Sequence, residues 1–142
     1  MNAERCLLAG EALGLGYVSI IKASKYARER VVFGRPIGQN QSIQHPLASA
    51  YMGLEAAKLA TYHAARLYDA SKTDSSITQH AIGVACNSAK YVAAEAAYIA
   101  CERSVCTFVG RKLLTSDQTL NHWNRSWHMV AWGKSNHLCC AP

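Results

Sequence analysis

Through the first thirty positions, Glu11, Lys22, Lys25 and Glu29 fall at helical intervals, while Leu7, Leu8, Leu15, Val18, Ile21 and Tyr26 cover most of the remaining circumference. The spacing predicts a helix from Ala3 to Arg30, buried on most of its surface. Gly14 and Gly16 each lower its propensity by up to ~1 kcal/mol, a cost that close approach of a neighbouring helix or ligand offsets. Gly34, Pro36 and Gly38 then stop the helix, and residues 34–41 are expected to form an ordered loop. A second helix is predicted from Ser42 to Ser71, with Ile43, Leu47, Tyr51, Leu54, Lys58, Thr61, Ala65 and Tyr68 on one seam. Ser42 is its expected cap, and Pro46 still lies in its first turn.

A polar break, SKTDSS at 71–76, precedes a third predicted helix from Ser75 to Arg103, with Asp74 as cap. Its period runs through Ile77, Ala81, Val84, Ser88, Val92, Ala96 and Ile99. Three long, alanine-rich helices with short connections predict an all-α fold, an antiparallel bundle with tight helix contacts. After residue 105 the period is lost. Residues 106–142, which hold all three tryptophans, are expected to be an irregular tail beyond a helical domain at 1–105.

Composition changes this picture little. Half of the 142 residues are apolar and 17% are charged, enough for one packed core. The formal charge of +6 suits an anionic ligand, yet no run of five or more basic residues points to nucleic acid. No window holds the roughly 18 uninterrupted apolar residues of a membrane helix. Asn2, Glu4 and Arg5 are unlike a signal peptide, so neither secretion nor a membrane span is expected. Six cysteines without CxxC spacing are expected to be free thiols in a reducing compartment, and the scattered histidines form no metal site.

Two stretches carry candidate chemistry. Glu4-Arg5 opens an apolar helix. Glu4 is either an acid favoured by the helix dipole or a general base whose pKa an apolar pocket raises, and the pattern does not choose. The second stretch is YARERVVFGRPIGQN at 26–40, where Arg28, Arg30 and Arg35 flank Phe33-Gly34 and Gln39, Asn40, Gln41 and Gln44 follow. Guanidinium groups suit phosphates and a phenyl ring covers a flat ring, so a nucleotide-type ligand is one reading. A solvated helix end is the other. Neither GxGxxG nor a P-loop is present.

The run YARERVVFGRPIGQNQSIQHPLA at 26–48 closely resembles the C-terminal helical domain of flavin-dependent acyl-CoA dehydrogenases, with their Arg-x-x-Phe-Gly-x-x-Ile pattern and Gln-rich helix start. The resemblance extends over residues 1–105, including NAER in the first helix and AAEAAYIACER in the third. It implies three helices of a four-helix bundle and oxidation of an acyl-CoA thioester to a trans-2-enoyl-CoA. A proton leaves the α-carbon, and a hydride passes from the β-carbon to the N5 of FAD. By the same resemblance Arg30, Phe33 and Gln41 contact FAD, with Gly34 allowing the approach. Glu4 occupies the position of the base in isovaleryl-type and long-chain-type members, and Asn2 and Arg5 become substrate contacts. A homo-oligomer, an electron-transfer acceptor protein, and residence in a bacterial cytoplasm or mitochondrial matrix are also implied.

The departures define a second reading. Where relatives carry Thr-His-Gly-Gly-x-Gly, this sequence has Thr107-Phe108-Val109-Gly110-Arg111-Lys112. The family's N-terminal helical domain and middle β-domain have no counterpart in these 142 residues. The abrupt lapse suits a truncated or frame-shifted product, or a divergent tail. The chain is thus expected to be inactive alone, as part of a dehydrogenase completed by the missing domains or a partner subunit. The alternative is a non-catalytic helical oligomerisation module derived from the family.

Overall fold

The computed structural model describes residues 2–74 and 76–108. Helix α1 spans Asn2–Glu29 and is followed by a two-stranded antiparallel hairpin, β1 (Val31–Val32) and β2 (Arg35–Pro36), and a 3-10 turn at Ile37–Gln39. Helices α2 (Gln41–Ala70) and α3 (Gln79–Thr107) complete the described chain. The expected all-α bundle is present, and the loop at 34–41 is ordered. The predicted irregular tail lies outside the described residues, apart from the last turn of α3 at 106–107 and Phe108.

Contacts fix the helix directions. Cys6 meets Cys86, Ser19 meets Cys101 and Tyr26 meets Phe108, a nearly constant offset that makes α1 and α3 parallel. Helix α2 runs back between their ends, since Tyr17 meets Glu55 and Tyr51 while Ala27 meets Gly38. Small residues line the contact. Ala9, Leu13, Ile20, Ala23, Leu47, Ala50, Leu54, Ala57, Ala93 and Ala100 form one core cluster; Ala64, Ile82, Cys86 and Ala89 form a second. At Gly16 an added Cβ would stand 2.6 Å from Leu54 Cδ2 and 3.3 Å from the Ala97 Cα. Here a glycine is required for the three helices to close. Gly14 faces open space.

The predicted faces need correction. Helix α1 is buried along one stripe only: Leu7 is 75% and Ile21 65% exposed, while Gly16, Ser19, Ala23 and Ala27 are buried. On α3 most of the predicted seam is turned outward, with Ala81, Val84, Ser88, Val92 and Ile99 exposed, while Ala96 is buried and Ile77 packs against the second core cluster. The inward stripe is Ile82, Cys86, Ala89, Ala93, Ala97 and Ala100. Both stripes have helical period in a helix that is apolar nearly all round, and the close spacing admits only the smaller one.

The caps also differ. Asn40, not Ser42, precedes α2, and its carboxamide oxygen accepts from Arg35 Nη2 at 2.9 Å instead of capping the helix. Thr78, not Asp74, caps α3 by accepting from the Ala81 N–H at 3.2 Å, and Asp74 accepts from the Ser76 N–H in the preceding turn. Buried hydroxyls of Ser19, Thr61 and Ser104 are satisfied by carbonyls of their own helices. By length and composition α1 is apolar enough to cross a membrane. Its packed stripe and the charges at Glu11, Lys22 and Lys25 suit a bundle helix.

Candidate functional site

Two clusters of sequence-predicted residues stand at opposite ends of α1. Glu4 and Arg30 are about 40 Å apart along it, at about 1.5 Å per residue. At the N-terminal end Arg5 Nη1 donates to Asn2 Oδ1 at 3.1 Å, so the two candidate substrate residues are brought together. Glu4 is exposed one turn in, and among the described residues its carboxylate has no hydrogen-bond or ion-pair partner. No apolar pocket encloses it within the described chain; the helix dipole there favours its anion.

At the other end the hairpin presents Phe33 and Gly34 at its tip. Both have positive φ, 53° and 78°, as a tight two-residue turn between twisted strands demands. Glycine meets this demand without strain, whereas a phenylalanine is held in a conformation that L residues seldom adopt. The Phe33 ring is also 100% exposed. The three arginines have different fates. Arg28 Nε donates to the Ser24 carbonyl at 3.3 Å, and Arg35 closes the loop onto Asn40. Arg30 is exposed, and its guanidinium has no hydrogen-bond or ion-pair partner among the described residues. Gln41, also exposed, opens α2 on the far side of the 3-10 turn. Arg30, Phe33, Gly34 and Gln41 thus share one end of the bundle, while Asn2, Glu4 and Arg5 share the other.

A third arrangement escaped the sequence. Tyr17 donates its hydroxyl to Glu55 Oε1 at 2.6 Å, and Lys58 Nζ lies 3.7 Å from Glu55 Oε2 and 5.7 Å from the Tyr17 ring centroid. Burial, helped by the adjacent carboxylate, pushes the Tyr17 hydroxyl pKa up. The Tyr17 hydrogen bond, then Lys58, holds Glu55 below the usual carboxylate range. The i, i+3 spacing of Glu55 and Lys58 was the available signal; the partner on α1 was not. Among the described residues no cluster of three or more His, Cys, Asp or Glu could hold a metal.

A family model described as "Acyl-CoA dehydrogenase, C-terminal domain" matches residues 1–134. The acyl-CoA dehydrogenase FadE12 of Mycobacterium tuberculosis is 37% identical over 113 residues, 80% of this chain and 28% of that protein. The mitochondrial short-chain specific acyl-CoA dehydrogenase of Rattus norvegicus is 40% identical over 72 residues, 51% of this chain and 18% of its own length. The solved structure of a probable acyl-CoA dehydrogenase from Mycobacterium abscessus shares the fold with a TM-score of 0.78 at 24% identity, covering 93% of this chain and 33% of that one. The chain therefore spans a third or less of each of these relatives. On the family model over residues 1–134 and the shared helical fold, this chain belongs to the acyl-CoA dehydrogenase family, as a C-terminal helical domain.

Proposed function

We propose that this chain is the part of an acyl-CoA dehydrogenase that supplies the α-proton base to one active site and a clamp to the FAD of another, acting with domains outside its 142 residues. The observation that carries this reading is Phe33. Its positive φ and full exposure both cost free energy in the isolated bundle, and a residue held against both costs marks a contact surface. The residues fit a flavin dinucleotide in kind: an aromatic face for a ring, the free guanidinium of Arg30 for phosphate, the Gln41 amide for polar edges, and a glycine where backbone must come close. FAD, when bound, supplies the acceptor for the β-hydride.

At the other end Glu4 takes the α-proton of the thioester. An acyl chain laid over its exposed carboxylate removes water and raises its basicity, opposing the helix dipole. Arg5, oriented by Asn2, offers donors to the polar part of the substrate. The 40 Å between the ends means that one copy of the chain serves two different FAD groups, so activity requires an oligomer. One rim of a site neither excludes water nor fixes geometry, and the chain alone is inactive. The outward row of Val84, Tyr91, Val92 and Ile99 favours a second reading, a helical module that only assembles.

Flavin separates the two. The chain joined to the N-terminal and middle domains of a relative should retain FAD and oxidise acyl-CoA. Arg30→Ala should lower FAD retention at least tenfold, and Glu4→Gln should abolish flavin bleaching by acyl-CoA while FAD stays bound. Undiminished FAD retention in the Arg30 variant would remove the clamp, and undiminished turnover with Glu4→Gln would remove the base.

A further inference from the structure

Cys6 on α1 and Cys86 on α3 hold their sulfurs 3.5 Å apart, though 80 positions separate them in sequence. Both are free thiols, Cys6 half-buried and Cys86 fully buried. We propose that Cys6 and Cys86 form a redox-active dithiol, closed to an intramolecular disulfide between α1 and α3 by a small-molecule disulfide oxidant. The folded chain keeps the second thiol in contact with the first, so ring closure competes with any intermolecular reaction. A covalent S–S bond of about 2.05 Å needs an approach of roughly 1.5 Å, which side-chain rotation and a small shift of the first turns of α1 supply.

The exchange runs in two steps. Cys6, the more accessible, attacks one sulfur of the oxidant as its thiolate; the oxidant's S–S bond breaks and one thiol leaves after taking a proton. Cys86 then gives its proton to solvent and attacks the Cys6 sulfur of the mixed disulfide, expelling the second thiol. Two protein thiols are oxidised and one small disulfide is reduced to two thiols. Burial, then the adjoining Cys6 thiol, pushes Cys86 up to about 11, while the Arg5 guanidinium pulls the other way. Closure is accordingly slow at neutral pH and faster as pH rises. Cys101 is buried with Ser19 as its sulfur's partner, and Cys106 is exposed on the last turn of α3. Among the described residues Cys6 and Cys86 are the one pair in contact.

The test treats the native 142-residue chain with oxidised glutathione at neutral and alkaline pH, blocks free thiols, and maps the products by mass spectrometry. The Cys6–Cys86 linkage should dominate, increase with pH, and lose its preference in denaturant. In a Cys86→Ser chain the reaction should stop at glutathionylated Cys6. Linkages spread evenly over the six cysteines in native buffer would overturn the proposal. So would alkylatable Cys6 and Cys86 after Cys106 has been consumed. Neither readout involves flavin or acyl-CoA, so this inference stands or falls apart from the function proposed above.

Discussion

Gly16 lies directly beneath Leu54: a single methyl at position 16 would come within 2.6 Å of the Leu54 Cδ2 and 3.3 Å of the Ala97 Cα. Leu54 is fully buried among three helices, so its side chain has nowhere to retreat. Gly16→Ala should therefore cost about 1–3 kcal/mol through overpacking, less up to ~1 kcal/mol regained in helix propensity. Gly14→Ala, two residues away in open space, should instead stabilise by about 0.5–1 kcal/mol. Urea midpoints shifting in opposite directions would verify the packing, and a shared sign would refute it.

The Tyr17–Glu55 bond predicts a second outcome. Tyr17→Phe keeps the ring against Tyr51 and removes the donor, and should cost about 1 kcal/mol. Glu55 is held below its ordinary range, so its contribution is full above that range and fades as pH falls through the depressed value. The variant should lose this acid-side dependence, and its Glu55 should titrate higher by NMR.

Cys86 controls the alkaline side. Its folded-state pKa of about 11 exceeds the ordinary 9.0, so the native state holds the proton longer than the unfolded chain. Stability is full below about pH 9 and falls as pH rises from there through the raised value. Cys86→Ala should flatten that part of the profile under reducing conditions, apart from the decline due to Tyr17, whose pKa is also raised.

Phe33→Gly separates folding from function. It relieves a positive φ of 53° and removes a ring that touches solvent on every side, so thermal stability should stay equal or rise by up to ~1 kcal/mol. Under the proposed function the same change should weaken FAD retention once the missing domains of a relative are joined to the chain. A variant that loses stability while keeping FAD would contradict the functional account of this residue.

Much of the fold was legible in the sequence because periodicity marks helices, and Gly34 and Pro36 mark where one stops. The inward faces were less so. On α3, Val84, Val92 and Ile99 carry the larger hydrophobic signal yet point outward, because the gap between helices is sized for Ala89, Ala93 and Ala97. That size is set by Gly16 on a different helix, which no local pattern encodes. The loop residues Arg30, Phe33, Gly34 and Gln41 were picked out by the family resemblance, whereas residue type alone left three arginines equal; geometry adds that Arg28 and Arg35 are tied elsewhere. Likewise the separation of Glu4 from the hairpin follows from helix length, not from any motif.

The parallel register of α1 and α3 also bears on how the chain comes to be folded. The pairs Cys6–Cys86, Ser19–Cys101 and Tyr26–Phe108 join positions 80 to 82 apart, an unusually non-local pairing for helices. On a ribosome adding roughly 5–20 residues per second, the inner stripe of α1 waits roughly 4–16 s for its partner to be made. Until then only α2 covers it. The nascent chain therefore exposes Leu13 and Ile20 beside the already exposed Leu7 and Ile21, a window in which chaperone capture competes with aggregation.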